Sequence, residues 1–188
     1  MKRLTAVFLA AAFILALVCS CGKKKATTFD FTLEKFIEGF NEVNTELPDI
    51  DREAVQKIQA QDGNVFAEYD FTDGLRFCAY SDPKTNNVQK LIMWLLPHAI
   101  EDKENAYKFA AYNAIMLSSF VSSQEEYEKI VGELSLDSNL EFNTDKLYKG
   151  DNFAVYYSYD AYGYRLIVTT IADMEQIEAE AAAAAESK

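Results

Sequence analysis

The sequence predicts an α+β fold in which one antiparallel sheet of about five or six strands carries helices on one face. Three observations predict it. Segments with helical apolar spacing come in pairs, and segments with strand-like alternation come in runs. The two kinds follow one another in the order helix, helix, three strands, then helix, helix and two or three strands, αα-βββ-αα-ββ(β), as if the domain had two similar halves. The 7 glycines stand singly, where they serve turns.

The first helix is expected in "FTLEKFIEGFNEV". Thr32 caps it, Phe31 and Phe36 stand at hydrophobic-staple positions, and Leu33, Phe36, Ile37 and Phe40 share a face. Asp51 is expected to cap a short second helix through Gln59, with Val55 and Ile58 facing inward. "NVFAEYDF" then alternates as a strand with Val65, Ala67, Tyr69 and Phe71 on one face. Thr72–Gly74 reads as a hairpin turn whose glycine takes a positive φ. "LRFCAYS" places Leu75, Phe77 and Ala79 together, and "VQKLIMWLLP", apolar on both faces from Leu91, reads as a central strand ended by Pro97.

"ENAYKFAAYNAIMLSSFV" is apolar nearly all round and is expected to be the buried helix. "SQEEYEKIVGEL" is a second helix of the pair. Ser123 and Glu126 stand at capping-box spacing, and Tyr127, Ile130, Val131 and Leu134 form its inner face. A weak strand is expected near Leu147, followed by the stronger "NFAVYYSYD" and "YRLIVTTI" with Gly163 at their turn. This tandem order of helix pair and sheet resembles the secreted β-lactamase inhibitor proteins. The resemblance lies in element order alone and implies no function. Residues 172–188, rich in Ala and Glu, read as a terminal helix or tail, which leaves residues 29–171 as a single α+β domain.

The start of the chain carries an address. Lys2 and Arg3 precede an unbroken apolar run, Ala6 to Val18, of 13 residues. That length suits a signal-peptide core and falls short of the roughly 20 residues of a membrane-spanning helix. The run ends in "VCSC", with small Ser20 directly before Cys21 and Val18 three positions before it. This resembles the lipobox of bacterial lipoproteins. The resemblance covers about the first 21 residues and implies that residues 1–20 are removed and that Cys21 receives a diacylglycerol. Cys19 departs from the usual pattern. As a rival lipidation site it would need Val18 where a small residue is expected, so Cys21 is preferred. Two acyl chains anchor durably where one does not. Residues 21–28 would be anchor and tether, with Lys23, Lys24 and Lys25 at anionic headgroups.

Without residues 1–20 the chain keeps 16 basic and 30 acidic side chains, a net of −14. A field of that sign argues against nucleic acid as a partner. With Cys21 acylated and Cys19 removed, Cys78 is the remaining thiol, so neither a disulfide nor a Cys/His metal framework is expected, His98 being the only histidine. Cys78 lies mid-strand and reads as a small buried apolar residue. No nucleophile elbow and no phosphate-binding glycine loop is present. Asp49, Asp51, Asp70 and Asp73 lack the spacing of a calcium loop, so no metal and no cofactor are expected.

One cluster stands out. "VYYSYDAYGY" holds Tyr156, Tyr157, Tyr159, Tyr162 and Tyr164. Alternation puts Phe153, Val155, Tyr157 and Tyr159 toward the helices and leaves Tyr156 and, at the turn, Tyr162 outward. Tyrosine also simply favours strands, and that plain reading stands beside a functional one. The functional expectation is an envelope lipoprotein, lipid-anchored on the extracytoplasmic side of a membrane. It would act as a non-catalytic module binding a protein, peptide or glycan through Tyr156 and Tyr162. Two alternatives stay open: a carrier or sensor of a small apolar ligand held between helices and sheet, and a carboxylate-dependent hydrolase.

Overall fold

The structure, a computed structural model, describes residues 26–60, 63–138 and 140–186. The expected signal segment, Cys19, Cys21 and Lys23–Lys25 lie outside the described residues. Helix α1 (Leu33–Val43) begins as its sequence dictates. Thr32 Oγ1 accepts from Lys35 N at 3.4 Å, and the Phe31 and Phe36 rings meet at 6.1 Å.

Where a second helix is expected, the chain makes only a 3-10 turn, Arg52–Ala54, and then strand β1 (Gln56–Gln59). Asp51 does cap, through Glu53 N at 3.0 Å, but it caps one turn. "REAVQKIQ" supports either structure locally, since Val55 and Ile58 fit a helix face while Gln56 and Ile58 fit strand alternation. The unpaired edge of β2 (Val65–Thr72) decides, pairing Ile58 with Phe66. Ile58 therefore points outward, 61% exposed, instead of inward.

The sheet has seven strands, more than the expected five or six, in the order β1-β2-β3-β4-β7-β6-β5. Strands β3 (Leu75–Ser81) and β4 (Val88–Leu95) complete the first meander, and β5 (Thr144–Lys149), β6 (Phe153–Asp160) and β7 (Gly163–Thr170) form the second. The two meanders meet last strand to last strand, β4 against β7, with every pairing antiparallel. β4 is thus central, as its two apolar faces require. The halves differ in their helices. The first has α1 and an extra edge strand, and the second has the pair α2 (Lys103–Ser118) and α3 (Gln124–Leu134).

Two glycines are fixed by close approach. Gly74 does not take the positive φ expected of its turn; a Cβ there would lie 2.0 Å from that of Ala99, so the constraint is packing. Gly163 has φ +98°, and its Cβ would meet Leu95 O at 2.2 Å. That glycine opens β7 against the end of β4.

Helices α1, α2 and α3 cover one face. Phe36 stacks on Phe77 at 5.8 Å, and Tyr112, fully buried, stacks on Phe71 at 4.0 Å and donates to Pro48 O at 2.7 Å. α2 is buried through one face, Phe109, Tyr112, Asn113, Met116 and Leu117, rather than all round. Its alanines and Tyr107 tolerate solvent, Tyr107 being 61% exposed. α3 is capped by Ser123, whose Oγ accepts from Glu126 N at 3.2 Å, while Glu126 reaches back to Ser122 N at 2.8 Å, one residue earlier than a standard capping box.

Helix α4 (Ile171–Glu186) follows β7 directly and takes its contacts on the other face of the sheet. Thr169 Oγ1 donates to Asp173 at 2.6 Å, Lys90 pairs with the same carboxylate at 3.1 Å, and Lys149 pairs with Glu178 at 2.6 Å. Lys90, Thr169 and Lys149 stand in one cross-strand row with Ala154. α4 thus covers one end of that face and leaves the rest to strand side chains.

Candidate functional site on the uncovered sheet face

Beyond that row, two further rows define the uncovered face. One runs Glu68, Cys78, Ile92, Ile167, Tyr156, Leu147 across the strands. The next runs Asp70, Arg76, Trp94, Arg165, Ser158, Asp145. Strand alternation builds both, because their in-between neighbours point to the helices. The middle is apolar and half-buried: Ile92, Ile167, Trp94 and Tyr156.

Arg76 anchors one flank. It donates from Nε to Asp70 at 2.6 Å and from Nη1 to Glu68 at 3.1 Å. The Asp70 hydrogen bond, ahead of other influences, holds its guanidinium protonated more firmly than usual. The other flank is the β6–β7 hairpin. Asp160 accepts from Tyr162 N at 2.8 Å with one carboxylate oxygen and from Arg165 with the other. The Arg165 guanidinium lies 5.5 Å from the centre of the Tyr162 ring, and Trp94 Nε1 donates to Tyr162 O at 2.6 Å. The hairpin tip, β4 and β7 are thus tied into one small platform.

The two tyrosines expected to face outward reach this platform from different elements. Tyr162 stands at the tip, 64% exposed. Tyr156 is half-buried in mid-strand. Burial first, and then a hydrogen bond to Asp145, push its hydroxyl up to about 12, so it stays protonated and donates to that carboxylate. Arg165 lies beside both, close enough to Tyr156 to act against that shift. The other three tyrosines of the cluster go to the helix side, where Tyr159 stacks on Tyr164 at 4.0 Å and Tyr157 lies 6.0 Å from Tyr164. Ser158 and Arg165 face each other across β6 and β7, and Oγ of Ser158 and Nε of Arg165 are both buried without a hydrogen-bond partner.

Sequence reasoning missed Trp94, Arg165, Asp145 and Asp160. Strand parity held the signal for two of them, since Trp94 shares parity with Ile92, and Arg165 with Ile167. The carboxylates join only through pairing across the sheet. No family model, curated protein or solved structure matches the chain.

The remaining candidates sit apart. Cys78 is buried, and burial pushes its thiol up to about 12. His98 is exposed and donates to Asp73 O at 2.5 Å. Asp49 accepts from Asn44 Nδ2 at 3.1 Å and Asp51 caps its turn, both structural uses of a carboxylate. Among the described residues no group of three or more His, Cys, Asp or Glu is placed to hold a metal ion.

Proposed function

We propose that this protein is an envelope lipoprotein, held through a diacylglycerol on Cys21, that binds a protein or peptide on the uncovered face of its sheet. One observation carries the reading: Trp94, Tyr156, Tyr162 and Arg165 gather around Ile92 and Ile167 on a face that α1, α2 and α3 leave open. Trp, Tyr and Arg are the side chains that dominate protein interfaces, because they bury large area at low entropy cost. The net charge of −14 left once residues 1–20 are removed favours a partner with basic residues at its rim. For attachment, the "VCSC" sequence supports lipid anchoring.

Photo-crosslinking on intact cells tests the reading. A benzophenone amino acid at Tyr162 should give a discrete, protease-sensitive adduct, and the same group at Tyr107 on α2 should not. Adding Tyr156→Ser should remove the adduct. Equal adducts from both positions, or a protease-resistant one, would sink the protein-binding reading. Separately, Cys21→Ala should release the chain from the membrane fraction. Release by Cys19→Ala alone would instead assign the lipid to Cys19.

A further inference from the structure

The two ends of the sheet differ in what they are joined to. The chain enters at the end where β4 begins. There Phe29 N donates to Val88 O at 2.7 Å, Val88 N donates to Phe31 O at 3.0 Å, and Thr32 bridges to Asn87. The same end holds the β3–β4 turn with exposed Lys84, the end of β7 and the start of α4. The platform lies at the opposite end. Trp94 stands next to Leu95, the last residue of β4, and Tyr162 stands in the turn just before β7. From Val88 to Trp94 the strand rises about 20 Å. Exposed Asp73, Glu101 and Glu141 occupy the loops at the platform end.

We infer that the platform faces away from the membrane that holds the lipid, so that its partner is a basic protein segment outside that bilayer rather than a loop of a protein embedded in it. The inference rests on the proposed reading of Cys21 as anchor and of the open sheet face as binding surface. Chain length sets the first limit. Cys21 and Phe29 are separated by at most about 28 Å of extended chain. The entry end is therefore held near the headgroups. Bringing the platform down to them by inverting the domain would lift the entry end at least about 20 Å, leaving the connecting chain nearly straight at a large cost in conformational freedom.

Helix α4 sets the second limit. It is about 10 Å across and lies on the entry half of the uncovered face, held at Asp173 by Lys90 and Thr169 and at Glu178 by Lys149. With that face laid down on a membrane, α4 would meet the headgroups before Trp94 does. It carries Asp173, Glu175, Glu178, Glu180 and Glu186 and no Lys or Arg. Lys90 and Lys149 balance two of these, so an anionic surface still repels the helix. Charge sets the third limit, because the acids in the platform-end loops favour a basic segment over an acidic one.

Depth-dependent quenching tests the orientation. The lipidated chain is reconstituted in vesicles of phosphatidylcholine and phosphatidylglycerol containing a headgroup-nitroxide lipid. Cys78 is buried, so an introduced surface thiol takes the fluorophore. A label on Lys84→Cys should be quenched severalfold more strongly than one on Ala161→Cys, beside Tyr162. Equal quenching, or stronger quenching at Ala161→Cys, would overturn the orientation whatever the platform binds. The partner is read separately, by mass spectrometry of the Tyr162 photo-adduct. The crosslinked segment should be basic and should not adjoin a membrane-spanning helix of the anchoring membrane. A crosslink to a loop of a protein embedded in that membrane would overturn the assigned partner. No adduct at all would overturn the binding reading itself, and unequal quenching would then leave the orientation standing alone.

Discussion

The two faces of this sheet are built from the same strands and put to different use. On β4, Met93 and Leu95 are buried beneath helices, whereas Ile92 and Trp94 are half-buried and look away from them. On β6, Val155 and Tyr157 enter the core, while Tyr156 turns to Asp145 and Arg165. The helix side joins ring to ring, as in Phe36 on Phe77 and Phe40 against Tyr112, with few charges. The other side intersperses aromatics with ion pairs: Arg76 with Asp70 and Glu68, Arg165 with Asp160. The difference teaches that a sheet face can leave apolar side chains half-exposed when charged pairs frame them.

Adjacent residues on β4 give the sharpest test of that contrast. Met93→Ala removes a fully buried side chain on the helix side and should cost about 2–5 kcal/mol in urea unfolding. Ile92→Ala, one residue away and half-buried on the other face, should cost about 1 kcal/mol. Equal costs would mean that the second face is covered in solution, by a second copy of the chain or by another segment of this one.

A smaller effect is expected where charge replaces packing. Arg76→Met keeps the stem that lies along the sheet and removes the pairs to Asp70 and Glu68, whose side chains are 53% and 30% exposed. Exposed pairs contribute at most about 1 kcal/mol, so stability should fall by less than that in low salt. The difference from the unaltered chain should shrink further in high salt, because screening already weakens the pairs there. A loss that salt does not change would assign Arg76 a packing role, and the two faces would be more alike than their composition suggests.

How much of this was legible follows from where the information lies. α1, β2, β3, α3, β6 and β7 each carry a local signal, a cap or a clean alternation, and they form where that signal sits. The "VYYSYDAYGY" segment even discloses which tyrosines turn outward, since parity alone separates Tyr156 from Tyr157. The stretch after Asp51 reads as a helix, because its strand exists only by pairing with β2, a contact no local pattern encodes. Gly74 reads as a positive-φ turn glycine, whereas the real constraint is Ala99, 25 residues later in the chain. The carboxylates beside the tyrosines belong to the same class. Each becomes part of a site through packing between elements, and single-element periodicity carries no trace of it.

The smallest expected effect concerns how dry the uncovered face is beneath its surface. Cys78 stands in the same row as Ile92 and Ile167, yet it is 1% exposed, and burial raises its thiol from the ordinary 9.0 to about 12. Tyr156, in that row too, is raised from 10.0 to about 12. Both groups hold their protons more tightly when folded, so their contribution to stability is complete below the unfolded values and is lost as pH rises toward the folded ones. Melting temperature should therefore be insensitive to these two groups below about pH 9 and fall between about pH 9 and 12. Cys78→Ala should flatten the start of that decline and Tyr156→Phe its later part, from about pH 10. At neutral pH Tyr156→Phe loses the hydrogen bond to Asp145 and should cost about 0.5–1.5 kcal/mol. A disulfide reagent gives the independent check: at pH 8 Cys78 should react far more slowly than free cysteine. Reaction at the free rate would show water reaching the middle of the row, and the uncovered face would then be an open polar surface, poorly suited to burying a partner.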